Sequence, residues 1–218
     1  MMYTTVSKII DLEDNNMRNM KVKDSFIYKV YSRTLDIISS LIGLLIGTPL
    51  VIIFGLLIKL EDGGPIFYKQ ERLGKDEKHF SIYKLRSMRV DAEKIGGAQW
   101  AQKNDPRITK VGNFIRKTRI DEIPQLVNIL KGDMSLIGPR PERPELTYEF
   151  DREIPGFINR IAVKPGLTGL AQVNGGYDIS PEEKLKWDME YITNRNILMD
   201  IKIIFATVRV VLTGEGAR

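Results

Sequence analysis

The chain has 218 residues, with 33 lysines and arginines against 28 acidic residues, a net charge of +5 and a pI near 9.3. It contains no cysteine, which excludes disulfides, thiolate catalysis and cysteine-based zinc sites, and a catalytic triad could only use His79, its one histidine. The basic balance suits an anionic membrane surface, a nucleotide-phosphate substrate or nucleic acid, and charge alone does not choose among them.

A long apolar segment follows the polar N-terminus. Ile37–Ile58 contains no charged residue, and a helix of this length reaches about 33 Å, enough to cross a hydrocarbon core of about 30 Å. Pro49 removes a backbone donor inside the segment and pushes Thr48 away from helical angles, which predicts a break. Cations flank both ends, as is typical of cytoplasmic flanks. We therefore predict a re-entrant membrane helix over residues 25–60, with a single span or a buried core helix as the alternatives.

Two charged residues mark the entrance of this segment. Arg33 and Asp36 are three residues apart, so they either pair at the level of the lipid headgroups or stay solvated separately. Residues 1–24 contain few apolar side chains and predict a mobile N-terminal segment. Residues 61–218 suffice for one compact domain, which we place on the cytoplasmic side.

The chain beyond residue 60 begins with β-prone pieces. Ile66-Phe67-Tyr68 and Phe80–Tyr83, separated by a charged turn, predict a small hairpin. Lys84 and Arg86 then belong to a stretch with three cations in six residues, which is either a solvated face or a contact for phosphate or headgroups. Residues 91–104 predict a loop or a frayed helix.

Helical periodicity dominates the remainder. A buried stripe predicts a helix over residues 122–130, which Lys131-Gly132 ends, and the Gly- and Pro-containing segments 138–141 and 164–169 predict rigid non-helical chain. Apolar residues between Ile197 and Val211 predict a last helix that packs on the domain or lies in the membrane interface. The predicted fold class is α+β: a mostly helical, membrane-associated domain with a small sheet and an N-terminal re-entrant, proline-broken helix.

Two adjacent carboxylates are the strongest candidates for chemistry. Asp121 and Glu122 immediately precede the apolar stripe, where acidic residues often only cap a helix. Arg116 lies upstream, however, and Arg140 follows the same helix. Carboxylates can hold a metal or attack phosphorus, while arginines neutralise phosphate charge, so the set suits phosphoryl transfer. The matching metal is Mg²⁺ in preference to Zn²⁺.

Four ordered motifs carry a family resemblance. The segment 121–141 (DEIPQLVNILKGDMSLIGPRP) resembles the signature of the bacterial sugar transferase family, the monotopic polyprenyl-phosphate phosphoglycosyl transferases. The segments 33–36, 64–88 and 165–175 agree with the same family in order, so the resemblance covers roughly residues 29–212. Four ordered motifs are highly specific, whereas Gly-Pro-Arg-Pro alone would be weak.

The resemblance implies a mechanism. Asp121 would be the nucleophile that attacks the β-phosphate of a UDP-sugar, releases UMP and carries the phospho-sugar, while Glu122, beside Asp121, would bind Mg²⁺. Polyprenyl (undecaprenyl) phosphate would then take the phospho-sugar. Arg116 and Arg140 match family arginines near the phosphates, and Thr48-Pro49 matches the break that makes the membrane helix re-entrant.

The resemblance also implies a cellular location, and three positions of this sequence depart from the family pattern. It places the protein in the bacterial inner membrane, with the catalytic domain facing the cytoplasm, at the start of exopolysaccharide, capsule, O-antigen or glycoprotein glycan assembly. The chain resembles the minimal catalytic form, and a homodimer is a further candidate assembly. Glu142-Arg143-Pro144 resembles members that transfer hexose phosphates. Leu85, Leu170 and Gly176 depart from the family pattern, and an arginine is often found at the position of Gly176.

Two other classes compete with this interpretation. A membrane-anchored scaffold could use the basic residues to hold anionic lipid and Asp121-Glu122 to cap a helix; it would show no Mg²⁺ dependence. A nucleic-acid binder would explain the pI, but the long apolar segment and the lack of a basic-aromatic motif argue against it. The sequence therefore favours a transferase with a UDP-sugar, a polyprenyl phosphate and membrane lipid as partners, and no nucleic acid.

Overall fold

The computed structural model describes residues 20, 22–92, 105–175 and 179–213. The expectations for residues 1–24 and 91–104 fall mostly outside these ranges, and the departure at Gly176 falls wholly outside them.

The first element is the helix α1, Phe26–Asp62. It begins at Ser25, whose hydroxyl accepts a hydrogen bond from the backbone N–H of Tyr28, and ends at Gly63, where φ is +72° and a glycine meets no steric penalty. Helix continues through Pro49, so the expectation of a broken helix is corrected. Proline removes only one hydrogen bond, and the neighbouring Thr48 hydroxyl donates to the carbonyl of Leu44 at 2.6 Å within the same turn.

One side of α1 packs on the rest of the protein along its length. A Cβ atom at Gly43 would lie 2.7 Å from Leu126, and one at Gly47 would lie 2.7 Å from Ile123, so these glycines allow close approach. The other side exposes large apolar side chains: Ile38, Leu41, Ile42, Leu45, Ile46, Ile52, Ile53, Leu56 and Leu60. By length and composition α1 could cross a membrane. Such an exposed apolar face is unfavourable in water and suits lipid.

Both ends of α1 are fastened to the same domain. Arg33 donates to the carbonyls of Ile129 and Leu130 at 2.8 and 2.7 Å. At the other end Asp62 accepts two hydrogen bonds from Arg86. The two ends of the helix therefore lie against one folded unit.

Arg33 and Asp36 do not pair with each other in the way that their spacing suggested. Asp36 is buried and accepts from Ser135 Oγ at 2.9 Å and from the N–H of Leu136 at 2.7 Å. Neither residue is a solvated headgroup-level charge, because tertiary partners satisfy both. The two open sequence interpretations of this pair are thus both wrong.

Two small sheets follow α1. Strands β1 (Phe67–Leu73) and β2 (His79–Leu85) form an antiparallel hairpin in which Phe67 lies opposite Leu85, which confirms the predicted hairpin. A short 3₁₀ turn, Lys75–Glu77, connects the two strands. Strands β3 (Ser135–Ile137) and β4 (Gly166–Thr168) pair in parallel. Sequence patterns had predicted only rigid non-helical chain around this second pair.

Helices make up most of the remainder. They are α2 (Lys110–Lys117), a 3₁₀ turn (Ile120–Glu122), α3 (Gln125–Lys131), α4 (Pro144–Glu153), a 3₁₀ helix (Phe157–Ala162), α5 (Leu170–Gly175), α6 (Pro181–Asn194) and α7 (Ile197–Thr213). The helix expected over residues 122–130 thus begins three residues later, because the preceding residues form the tighter turn. The described residues are mostly helical with small sheets, which agrees with an α+β fold.

Three groups of buried apolar residues hold these elements together. Ile82, Leu126, Ile129 and Met134 join the hairpin to α3. Ile58, Leu85 and Ile115 join α1, β2 and α2. The third group is Ile137, Val163, Tyr191, Ile192 and Ile203. The first two groups fix α2 and α3 against β2, and the link between these two helices carries the candidate dyad.

The last helix leaves an apolar face uncovered. Ile203 is fully buried, whereas Phe205 is 73% exposed and Ile201, Val208 and Val211 are exposed as well. Of the two alternatives left open by the sequence, packing applies to one side of α7, and the exposed side has the composition of an interfacial helix.

Candidate active site

A cleft of about 400 Å³ lies between the hairpin, the α2–α3 link and the chain after β3. It brings together the six residues that the sequence predicted for catalysis and phosphate binding: Lys84, Arg86, Arg116, Asp121, Glu122 and Arg140. These residues come from segments up to 56 positions apart in the printed sequence. The fold therefore gathers the candidate residues around one concave surface.

The cleft is strongly basic. Ten cationic residues and four carboxylates line it; the cations are Arg72, Lys84, Arg86, Arg89, Arg107, Arg116, Arg119, Arg140, Arg143 and Lys184, and the carboxylates are Asp121, Glu122, Glu142 and Asp188. Such an excess of positive charge attracts polyanionic ligands and suits phosphates better than neutral metabolites.

The carboxylate dyad lies on the short 3₁₀ turn before α3. Arg119 precedes the turn with a φ of +57°, a left-handed conformation that is uncommon for a residue with a side chain. This conformation turns the chain sharply between α2 and α3, and it buries Asp121 and Glu122 to 6% and 7% exposure. Unusual backbone of this kind is often found at functional sites.

Capping does not explain the dyad. The N-cap position of α3 is Pro124, and no side chain forms a cap hydrogen bond there. Asp121 and Glu122 instead line the basic cleft. Their burial beside cations is the arrangement expected of reactive carboxylates.

Glu122 is held as an anion by two cations. Lys84 Nζ donates to Glu122 Oε1 at 2.8 Å, and Arg140 Nη2 donates to the same oxygen. Burial alone would disfavour the charged carboxylate, but Arg140 and Lys84 outweigh it and hold the pKa of Glu122 well below its usual range.

Asp121 has the opposite electrostatic setting. Burial raises its pKa to about 6, since Lys84 Nζ is 4.0 Å from Asp121 Oδ2 and the attraction of Lys84 does not offset desolvation. The neighbouring Glu122 charge raises the pKa further, while Arg116 and Arg140 lower it. Asp121 is thus the more basic member of the dyad, and a basic carboxylate is the better nucleophile and proton acceptor.

Arg86 and Arg116 take different places in the cleft. The guanidinium of Arg86 bonds to both carboxylate oxygens of Asp62 and donates through Nε to the carbonyl of Pro65 at 2.6 Å. It therefore fastens the end of α1, although the residue lines the cleft. Arg116, on the last turn of α2, lines the cleft and acts electrostatically on Asp121.

Asp121 and Glu122 fit a magnesium site in which the protein supplies few of the ligands. Within the described part of the chain, no group of three or more His, Asp or Glu side chains is placed to hold a metal. Mg²⁺ commonly takes only one or two carboxylates from a protein and completes its shell with water and substrate phosphates. Asp121 and Glu122 are a pair of carboxylates of this kind, and Arg140 and Lys84 keep Glu122 ionised.

The sequence interpretation missed several cleft residues. Glu142 is buried, accepts from Lys184 Nζ at 2.7 Å and lies 3.7 Å from Arg72 Nη1. These three residues form a second charged cluster on the cleft wall. Glu142 follows the Gly-Pro-Arg-Pro motif and could have been suspected from that position, whereas no local signal marks Arg72 or Lys184.

Comparison with known proteins identifies the family. Residues 27–214 match the model of the family described as bacterial sugar transferase. The chain belongs to this family, which confirms the resemblance drawn from the four motifs.

Individual relatives extend this match. A protein of Aeromonas hydrophila called UDP-N-acetylgalactosamine-undecaprenyl-phosphate N-acetylgalactosaminephosphotransferase is 45% identical over 97% of this chain and 50% of its own length. A putative undecaprenyl-phosphate N-acetylgalactosaminyl 1-phosphate transferase of Bacillus subtilis is 60% identical over 62% of this chain and 74% of its own length. Exopolysaccharide production protein PSS of Rhizobium leguminosarum bv. phaseoli is 42% identical over 86% of this chain and 98% of its own length. The chain thus spans half of the Aeromonas relative but nearly all of the Rhizobium one.

Proposed function

We propose that this protein transfers a sugar-1-phosphate, with a hexose as the expected sugar, from a UDP-sugar to undecaprenyl phosphate or a similar polyprenyl phosphate. The product would start the assembly of an exopolysaccharide, capsule, O-antigen or glycoprotein glycan. The observation that carries the proposal is the pair Asp121-Glu122, buried in a strongly basic cleft with opposite shifts of pKa. The names of the relatives support both substrate classes.

Two displacements at phosphorus make up the reaction. The ionised Asp121 carboxylate attacks the β-phosphorus, and the bond between that phosphorus and the bridging oxygen breaks, so that UMP leaves with the electron pair. An oxygen of polyprenyl phosphate then attacks the same phosphorus, the bond to Asp121 breaks and the carboxylate is regenerated. Lys84, Arg116 and Arg140 lie where they can stabilise the negative charge on the phosphoryl oxygens in both steps.

Asp121 and Glu122 would hold Mg²⁺, which supplies charge neutralisation at the diphosphate when it is bound. Glu122 suits this role because its charge is retained over the whole physiological range of pH. Lys84 and Arg140 keep its carboxylate in place between binding events.

The membrane supplies the setting for the acceptor. The exposed apolar sides of α1 and α7 would lie in one leaflet, and both ends of α1 would stay on the cytoplasmic side of the bacterial inner membrane. An arrangement with both ends on one side of the membrane is supported by the contacts of Arg33 and Asp62 with one domain, because a single span would place the two ends on opposite sides of the bilayer. Polyprenyl phosphate would then reach the cleft along the membrane surface.

A single-turnover experiment tests the proposal. The purified protein is incubated with Mg²⁺ and one UDP-sugar at a time, without acceptor, and UMP release and intact mass are measured. The panel should include UDP-glucose, UDP-galactose and UDP-N-acetylgalactosamine. We expect UMP release and a phospho-sugar adduct on the wild type with at least one donor, both absent in Asp121→Asn and after chelation of Mg²⁺.

The outcomes separate the alternatives. UMP release that strictly requires acceptor, without an adduct, would contradict the covalent step and leave a direct transferase. No UMP from any donor, with or without acceptor, would contradict the transferase and favour the lipid-binding scaffold.

A further inference from the structure

Arg140 lies on a short, rigid segment whose backbone is held from several directions. The carbonyls of residues 139, 140, 141 and 142 each accept a hydrogen bond from a different part of the protein. In order, the donors are Gly166 N at 2.8 Å, Arg160 Nη2 at 2.9 Å, Arg72 Nη1 at 3.1 Å and Leu73 N at 3.0 Å. Two of the four donors are side chains of partly or fully buried arginines, which is unusual for positioning a loop backbone because a buried charge is costly.

Arg160 is the more deeply buried of these two arginines. Its side chain is 4% exposed, its Nε donates to Asp188 Oδ2 at 2.7 Å, and Asp188 is 1% exposed. The guanidinium also lies over the ring of Phe157, 4.7 Å from the ring centre. A planar guanidinium has several donors in fixed directions, so it can bond a carboxylate and a carbonyl at once, which an apolar replacement cannot do.

The carbonyl that Arg160 holds belongs to the residue whose side chain reaches the dyad. Arg140 donates its Nη2 to Glu122, while its backbone oxygen accepts from Arg160 on the other side. The flanking prolines, Pro139 and Pro141, fix the backbone angles on both sides and leave the segment little freedom to compensate for a lost anchor. A displacement of this backbone would therefore be passed on to the guanidinium at Glu122.

We propose that Arg160, held by Asp188, is a positioning residue for Arg140 and so sets the geometry of the Glu122–Arg140 contact. This inference rests on the proposed function, since it assumes that Arg140 stabilises the phosphoryl charge. Arg160 contacts the backbone of Arg140, so its effect on the reaction passes through that residue. Misplacing groups by about 1 Å in an active site is enough to cost about 100-fold in rate.

A double-mutant cycle with a matched control tests the proposal. UMP release is measured for wild type, Arg140→Gln, Arg160→Gln and the double variant. Arg195→Gln is the control, because Arg195 also bonds an aspartate, Asp24, at 2.9 and 2.6 Å, and lies outside the cleft lining. Arg195 even lies over an aromatic ring, at 5.6 Å from the centre of Tyr28. The Arg195–Asp24 pair therefore has the same kind of contacts as the Arg160–Asp188 pair but lies outside the cleft lining.

We expect Arg160→Gln to lower kcat by about 10- to 100-fold, the range of one charge-assisted contact, and to lower it little further when Arg140 is already glutamine. In Arg160→Gln and Arg140→Gln alike the loss should fall on kcat, with the KM for the UDP-sugar changed less, because the misplaced guanidinium stabilises charge that develops in the reaction step. Arg195→Gln should leave kcat and KM close to those of the wild type, whatever it does to thermal stability.

Arg160→Lys covers the case in which the glutamine variant does not fold. Lysine keeps a positive charge next to Asp188, but its ammonium group lacks the planar set of donors with which the guanidinium bonds the carboxylate and the Arg140 carbonyl at once. This variant should therefore fold and still lose turnover. Wild-type kcat in Arg160→Lys, multiplicative losses in the cycle or equal losses in the Arg195 control would each overturn the positioning role. Absence of UMP release by the wild type would instead overturn the proposed function.

Discussion

Replacing Asp121 with asparagine should stabilise the folded protein at neutral pH although it removes the proposed nucleophile. Burial raises the pKa of Asp121 from 3.8 to about 6, and each pKa unit corresponds to about 1.4 kcal/mol. Above about pH 6 the folded state therefore bears a cost of about 3 kcal/mol for this carboxylate, whereas below about pH 4 the carboxyl is neutral in both states and the cost vanishes. Asparagine has nearly the same shape and does not titrate, so the free energy of unfolding should rise at high pH only.

Glu122 provides the control because its predicted sign is opposite. Arg140 and Lys84 hold its pKa below the usual range, so its charge stabilises the folded state above the unfolded pKa and this contribution is lost as the pH falls toward the lower folded pKa. Glu122→Gln would leave these two cations without their shared anion and should destabilise the protein at neutral pH.

The assay is urea or thermal unfolding of the wild type and both variants in nanodiscs, at about pH 4 and about pH 8. We expect Asp121→Asn to be more stable than the wild type at the higher pH and similar at the lower one. Equal effects at both pH values, or a shift of the same sign for the two dyad variants, would refute the assignment of opposite electrostatic roles to Asp121 and Glu122.

Two further predictions concern turnover and topology. UMP release should fall as the pH drops through about 6, since Asp121 must be ionised to attack and its pKa is raised to that value. Lys84→Met should move this fall in rate to higher pH, because Lys84 lowers the pKa of Asp121. A rate independent of pH between about 5 and 8 would argue against Asp121 as nucleophile. Because the chain has no cysteine, single cysteines engineered beside both ends of α1 report topology without background, and both should react only from the cytoplasmic side. Periplasmic labelling of one end in the wild type would establish a single span instead.

The sequence selected residues that the fold brings into one cleft, because part of their signal is local. Asp121, Glu122 and Arg116 lie within seven consecutive residues, so one turn of chain sets their mutual arrangement. The hairpin could likewise be predicted, because β-prone residues on both sides of a charged turn need only each other. The pairing of β3 with β4 could not, since each strand has three residues and too short a pattern to be recognised.

Local spacing did not predict the partners of charged residues where a partner distant in sequence was available. The spacing of Arg33 and Asp36 suits a pair on one helix face, yet backbone groups of α3 and β3 compete successfully for both. The backbone N–H of Leu136 that donates to Asp36 is fixed by the fold and loses no side-chain entropy, unlike a mobile guanidinium. The partner of Arg160 could likewise not be predicted from local spacing, because Asp188 lies 28 positions away.

The short stretch Lys84–Arg86 connects these findings to the membrane. Its two cations are two residues apart along extended chain, a distance of about 7 Å. Arg86 holds Asp62 at the end of α1, while Lys84 bonds to Glu122. One short stretch of chain therefore contacts both the end of α1 and the dyad. A polyprenyl phosphate keeps its chain in the bilayer and its phosphate at the level of the headgroups, so the proposed nucleophile must lie close to that level. We propose that the link through Lys84 and Arg86 sets this height, since Lys84 near the end of β2 holds Glu122 and Arg86 just beyond β2 holds the end of α1.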